Sequence, residues 1–345
     1  MNRDSACDGV ADSAGDKTKP ARVRIKSAIA PGGAVEVAQQ GMIVRRDPTQ
    51  TLHIAIASGK GGSGKTTIAL HLAWAYARSG ERVVLCDCDA DAPNLHCFLP
   101  GVVVHASEVT ELHPRIDAEH CVACGACVRS CAFDALYMRG GKAHVAEELC
   151  HGCGVCALVC PSDAAISEHE VVVGTTTRQR IAWPNGVCSD MVVARARIGN
   201  NRTPRVIADA IAAAPVAASI QIRDCAPGCA CAAVAGMRGA DCAVLVAEAT
   251  PFGLHDLKLA VEMTRTLGIP LAVVVNRSGA YGAVEQWCTD QSIAVLACIP
   301  DDRQVAEVYA SGRLAGERLP DYNKWYQTIR DGIDTLMHKE TACSK

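Results

Sequence analysis

The chain has 345 residues, 49% of them hydrophobic and 4% aromatic, with a formal net charge of -3 at pH 7. That content is ample for a buried core, and the weak, scattered charge offers no general attraction for nucleic acid or an anionic membrane. No apolar run approaches the ~20 residues that span a bilayer, and the N-terminal segment MNRDSACDGVADSAGDKTKP lacks the apolar stretch of an export signal. The protein is therefore expected in the cytoplasm, with no nucleic-acid partner and no membrane anchor.

Residues 1 to about 50 are rich in Ala, Gly, Asp and Lys without a sustained period, which predicts a mobile tail. From Thr51 onward an apolar strand, a glycine-rich turn, an amphipathic helix and a second apolar strand follow in order. This is how a parallel α/β sheet begins. Between about Leu112 and His169 closely spaced cysteines and short turns replace long elements. The α/β rhythm then resumes, with strands predicted near Ile220, Ala243, Leu271 and Ile293 and helical stretches such as GLHDLKLAVEMTRTLG between them. The predicted organisation is a doubly wound, mostly parallel α/β domain in two parts, 51–111 and 170–345, interrupted by a small α+β insert at 112–169.

The segment Gly-Lys-Gly-Gly-Ser-Gly-Lys-Thr ending at Thr66 joins the first strand to the first helix, as a phosphate-binding loop requires. Gly61, Gly62 and Gly64 let backbone N–H groups turn towards phosphate oxygens at the positive end of the helix. Lys65 is the candidate to neutralise the β and γ phosphates, and Thr66 Oγ the candidate ligand of Mg²⁺. Ser63 and Thr67 complete the nucleotide-binding stretch. The second strand ends in Asp87-Cys88-Asp89-Ala90-Asp91, carboxylates at the edge where such sheets bind ligands. A later strand, Ser219 to Asp224, ends in a candidate Walker B aspartate, Asp224, to hold Mg²⁺, although Gln221 and Arg223 make that strand unusually polar. Asn276 ends the strand LAVVV and could meet a base edge or form an Asx turn. Pro300 follows the next strand as the other wall of a base pocket.

Of the 20 cysteines, eight form two matched runs. The first is Cys121-x-x-Cys124-x-x-Cys127-x-x-x-Cys131 and the second Cys150-x-x-Cys153-x-x-Cys156-x-x-x-Cys160-Pro161. Two copies of this spacing are the pattern of a two-cluster bacterial ferredoxin, in which the fourth cysteine of each run serves the other cluster. The predicted ligand sets are Cys121, Cys124, Cys127 and Cys160 for one 4Fe-4S cluster and Cys150, Cys153, Cys156 and Cys131 for the other. Zinc is the competing reading, since paired Cys-x-x-Cys elements also make tetrahedral thiolate sites.

With Lys60 preceding the loop, the sequence resembles the deviant Walker A family, which includes MinD, ParA, the Mrp-type iron-sulfur carriers and the nitrogenase iron protein. The combination of motifs, with Asp91-Ala92-Pro93-Asn94-Leu95-His96 and Thr250-Pro251-Phe252-Gly253-Leu254-His255-Asp256-Leu257-Lys258, is similar to MinD-superfamily ATPases carrying an inserted ferredoxin domain. This resemblance covers roughly Leu52 to Leu314. It implies an ATP-dependent homodimer in which Lys60 reaches the partner's ATP, and slow, partner-stimulated hydrolysis with Asp89 orienting or deprotonating the attacking water. The sequence departs from relatives after Asp224, where Cys225-Ala226-Pro227-Gly228 replaces Gly-Pro-Pro-Gly, and after Asn276, where Arg277-Ser278-Gly279 follows.

Three functions fit this combination. One is nucleotide-gated electron transfer to an unidentified redox partner; a second is assembly or delivery of a metallocofactor to a client protein; a third is positioning on a membrane or nucleoid. The third is disfavoured, because the apolar Trp325, Ile329, Ile333 and Leu336 fit a terminal helix packed on the domain. Cys225, Cys229 and Cys231 are open to two readings, a dimer-bridging metal site or small buried side chains at the sheet edge.

Overall fold

The computed structural model describes residues 50–199, 202–279 and 281–342; the predicted mobile tail lies, but for its last residue, outside the described residues. The described strands are β1 (Leu52–Ala57), β2 (Val83–Cys88), β3 (Gly101–Ile116), β4 (Leu136–Arg139), β5 (Lys142–Val145), β6 (Ile166–Ala182), β7 (Cys188–Ala196), β8 (Ile220–Cys225), β9 (Cys242–Glu248), β10 (Leu271–Ser278) and β11 (Val295–Pro300). The described α-helices are α1 (Lys65–Arg78), α2 (Ala126–Arg129), α3 (Val155–Leu158), α4 (Thr203–Ala212), α5 (Cys231–Met237), α6 (Pro251–Thr266), α7 (Ala283–Asp290), α8 (Arg303–Ala310), α9 (Ala315–Arg318) and α10 (Asn323–Ala342).

One sheet has the order β11-β10-β9-β1-β8-β2-β7-β6-β3. From β11 to β7 every neighbouring pair is parallel. The central strands VVLCDC and IQIRDC are buried along their whole length, as parallel strands covered on both faces must be. Along β1 the alternation of a strand divides the core: Ile54 and Ile56 join one cluster with α1, whereas Ala55 and Ala57 join another with Leu257 and Val261 of α6. Ile329 and Ile333 of α10 are fully buried against α1, with Trp325 and Leu336 packed beside them. This is the apolar face expected from the sequence.

The polar residues of β8 have a structural explanation. The guanidinium of Arg223 donates to Gln221 Oε1 at 2.7 Å, Arg238 O at 2.9 Å and Gly236 O at 3.4 Å, and Gln221 also meets His53 Nδ1 at 2.7 Å. Arg223 thus caps the carbonyl end of α5 from inside the sheet. Replacing it with Leu strands those buried carbonyls, and we expect a loss of about 2–3 kcal/mol in urea unfolding with little change in the slope.

The arm of the sheet formed by β3 and β6 is an antiparallel pair running from Gly101↔Ile181 to Ile116↔Ile166, and β6 pairs antiparallel with β7. The expected boundaries at 112 and 169 fall inside these strands, so the cysteine-bearing segment between them spans 117–165. That segment holds α2, α3 and the β4–β5 hairpin around a small core of Cys127, Leu136, Ala143 and Cys156.

Candidate functional site: a phosphate cleft and a cysteine unit

The C-terminal ends of β1, β2, β8, β10 and β11 converge on a cleft of about 370 Å³. Gly61, Gly62, Gly64, Lys65, Thr66, Thr67, Asp89, Asp224, Asn276 and Pro300 all line it. Gly64, at φ 95, starts α1, and a Cβ there would collide with the Asn276 amide. That amide donates to Ser63 O at 2.9 Å, so Asn276 braces the glycine loop in addition to facing the cleft. Ser63 itself is buried beneath the loop.

Lys65 is nearly buried, and desolvation lowers its ammonium from the usual range against the pull of Asp224 and Asp89. Thr66 Oγ1 donates to Asp224 Oδ2 at 2.7 Å, while the other oxygen, Oδ1, is buried without a hydrogen-bond partner. Burial pushes the Asp224 carboxyl up to about 6, against the Thr66 hydrogen bond. An orphaned carboxylate oxygen beside a threonine hydroxyl is a donor set that fits Mg²⁺. Asp89 is raised chiefly by partial burial, opposed by Lys65.

The neighbouring carboxylates serve the fold. Asp87 accepts backbone N–H groups of Asn94 at 2.9 Å, Leu95 at 3.0 Å and Asp89 at 3.3 Å, which shapes the loop after β2. Asp91 accepts from Thr203 Oγ1 at 3.0 Å at the start of α4.

In the cysteine unit, Cys121, Cys124, Cys127 and Cys160 line one cavity with Ile116, Ala143 and Ile166. The other predicted set is also drawn together: burial raises the thiol of Cys150, and neighbouring Cys153 and Cys131 raise it further. Burial pushes Cys156 up to about 11, with Cys150 and Cys153 adding to it. The two runs repeat in backbone as well as in sequence. Ala123 (φ 58) and Gly125 (φ 68) in the first match Gly152 (φ 56) and Gly154 (φ 73) in the second. This left-handed alternation curls each loop inward and aims amides at sulfur. Gly152 N donates to Cys150 Sγ at 3.4 Å and Ala135 N to Cys131 Sγ at 3.3 Å, and Ala143 and Ala123 amides hold the Cys121 thiol below its usual range. Among the described residues no three His, Cys, Asp or Glu side chains converge as ligands of a single ion.

The CbiA family, described as the CobQ/CobB/MinD/ParA nucleotide binding domain, matches residues 54–315. The chain belongs to this CobQ/CobB/MinD/ParA family. It is accordingly a P-loop ATPase with a mostly parallel α/β sheet. An uncharacterised protein of Methanocaldococcus jannaschii is 28% identical over 76% of this chain and 91% of its own length. An iron-sulfur cluster carrier protein of Pseudomonas fragi is 40% identical, over 23% of this chain and 25% of its own. The septum site-determining protein MinD of Pyrococcus horikoshii, solved with Mg-ADP, superposes with a TM-score of 0.50 at 18% identity, covering 84% of this chain and 99% of that one.

Within this P-loop ATPase one placement differs from expectation, that of Cys229 and Cys231. Lys60 is outside the cleft wall, its Nζ 2.7 Å from Glu248 Oε2. Cys225 is fully buried, as one reading foresaw, but Cys229 and Cys231 are exposed and do not fill the sheet edge.

Several residues of the site carry no motif. Tyr309 and Tyr322 line the cleft together with Pro300, and Tyr309 packs on Phe98 with ring centroids 4.3 Å apart. Arg202 donates through Nε to Glu111 Oε2 at 2.7 Å and through Nη2 to His151 O at 2.7 Å, inside the second cysteine loop. Rarity of aromatics was a usable signal for the tyrosines; nothing in the sequence marks Arg202. Among the described residues no helix is long and apolar enough to cross a membrane.

Proposed function

We propose that this ATPase holds two 4Fe-4S clusters and couples its nucleotide state to electron transfer, acting as a homodimer when ATP is bound. The observation that carries this reading is the cavity lined by Cys121, Cys124, Cys127 and Cys160, which unites three neighbours in sequence with one cysteine of the other run. Sulfurs spread around a cavity wall suit a cubane, whose irons each take one thiolate, better than a single tetrahedral zinc ion. Lys142 Nζ donates to Cys121 O at 2.8 Å and Arg129 Nη1 to Cys124 O at 3.0 Å, placing two cations beside the loop that would hold an anionic group.

When bound, Mg²⁺ neutralises phosphate charge and the clusters accept and pass on single electrons. Thr66 and Asp224 are the residues to hold the metal. Lys65 binds the β and γ phosphates, and Asp89, whose carboxyl burial raises above its usual range, orients or deprotonates the attacking water. Coupling is supported by adjacent residues at the start of α4. Thr203 holds Asp91, two residues from Asp89, while Arg202 holds Glu111 and the carbonyl of His151 between Cys150 and Cys153. A shift of the loop after β2 on nucleotide binding is thereby transmitted to the second cysteine loop.

The test is to purify the protein without oxygen, expecting about eight iron atoms per chain, and to measure cluster potentials with ADP, with ATP and with no nucleotide. A potential that moves with ATP in the wild type and stays fixed in Arg202→Ala is the expected result. Stoichiometric zinc without iron defeats the reading, and a nucleotide-insensitive wild type removes the coupling.

A second reading, ATP-dependent cluster assembly or delivery, is favoured by one feature: Cys229 and Cys231 are exposed just beyond Asp224, within reach of a client. Their double replacement by Ala would then block transfer to an apo-ferredoxin and leave bound iron unchanged.

A further inference from the structure

Lys60 belongs to the phosphate-binding loop but does not line its cleft, whereas Arg277 does. The Lys60 ammonium sits 2.7 Å from one oxygen of Glu248, and Arg277 Nη1 lies 2.6 Å from the other. The carboxylate closes β9 and is only 13% exposed, whereas the Lys60 and Arg277 side chains are 35% and 55% exposed. Two accessible cations therefore share one largely buried anion. Arg277 holds its place through a left-handed backbone, φ 52, a conformation that a non-glycine side chain adopts at a cost and that clusters at functional positions. Glu248 is also the register partner of Asn276, the residue that braces Ser63, so the carboxylate is fixed relative to the loop that carries Lys60.

We propose that Glu248 is a positioning residue for ATP turnover: it holds Lys60 off the cleft, and Arg277 keeps the carboxylate paired when Lys60 moves to a nucleotide phosphate. A mostly buried carboxylate stripped of every cation is costly, whereas giving up one of two partners is not. The arrangement makes release of Lys60 cheap and reversible. The phosphate that receives it belongs to the chain's own nucleotide or to that of a second copy, and the dependence of turnover on protein concentration separates the two.

The experiment compares steady-state ATP hydrolysis of the full chain with Glu248→Gln, Arg277→Ala, Lys60→Ala and the double variant Lys60→Ala/Glu248→Gln. Glu248→Gln weakens the tether, and kcat/KM is expected to rise by about two- to fivefold, the range of one partly exposed ion pair. Arg277→Ala removes the alternative partner and is expected to lower kcat/KM. With Lys60 already replaced, Glu248→Gln should have no further effect. If the gain appears only as a lower protein concentration for half-maximal rate, the receiving phosphate is on a second copy; a gain independent of concentration assigns it to the same chain. The proposal is overturned if Glu248→Gln leaves turnover unchanged or lowers it, or if its effect persists without Lys60. Should Glu248→Gln unfold the protein, Glu248→Asp, which draws the carboxylate back by one methylene, must shift kcat/KM in the same upward direction.

Discussion

Lys65→Ala is expected to lower ATP turnover by at least about 10²-fold while leaving the thermal unfolding midpoint nearly unchanged or slightly raised. The sign of the second part follows from the site. Lys65 is almost buried, its ammonium disfavoured by desolvation, with Asp224, Asp89 and Cys225 opposing that shift. The cleft therefore holds a desolvated cation placed to meet phosphate, and removing it costs the fold little. Turnover, by contrast, loses an ammonium held beside the transferring group. Asp224→Asn should give a loss of similar size, accompanied by a weaker response to added Mg²⁺, because it alters the carboxylate whose Oδ1 has no partner. Rates from a coupled phosphate-release assay, with nucleotide affinity measured separately, check both. Turnover within a few-fold of wild type for Lys65→Ala would remove it from the catalytic apparatus.

Cys160→Ala should halve the bound iron to about four atoms per chain, and Cys131→Ala should do the same to the other half. The pairing across runs is what makes the outcome specific. Cys160 follows Cys156 in sequence but lines the cavity of Cys121, Cys124 and Cys127. Combining Cys160→Ala with Cys121→Ala should therefore cost no more iron than either alone, whereas Cys160→Ala with Cys150→Ala should empty both sites. Iron and sulfide analysis, with electron paramagnetic resonance after reduction, reads the difference. The reverse pattern would place four ligands of one cluster within a single run.

Much of this site was legible because its chemistry is written in neighbouring residues. The stretch from Lys60 to Thr67 is continuous, so strand, turn and helix followed from local pattern, and the later strands near Ile220, Ala243 and Leu271 are apolar enough to stand out. The cysteine spacing predicted a grouping across the two runs because it is the pattern of a two-cluster ferredoxin, and Cys160 does share a cavity with Cys121, Cys124 and Cys127. The β3–β6 arm was missed because its strands are separated by the whole cysteine segment, and GVVVHASEVTELHPRI is largely exposed and shows no clean alternation. Glu248, Arg202 and Tyr309 were missed for a different reason. Each is an ordinary residue at the end of an ordinary element, and its meaning arises only when the sheet brings distant chain ends together. Asn276 shows the intermediate case: its place at a strand end was readable, but its grip on Ser63 depended on how closely the loop approaches.

The arm has a consequence for how such a chain could have come about. Ile116 and Ile166 face each other as a register pair, so the cysteine segment leaves and re-enters the sheet at a single rung. A hairpin turn closing that rung would preserve the pairing of every other strand. The segment could in this sense be replaced by a β-turn without rethreading the sheet, and Arg202, which donates to His151 O, is one of the side chains that tie it to the strands.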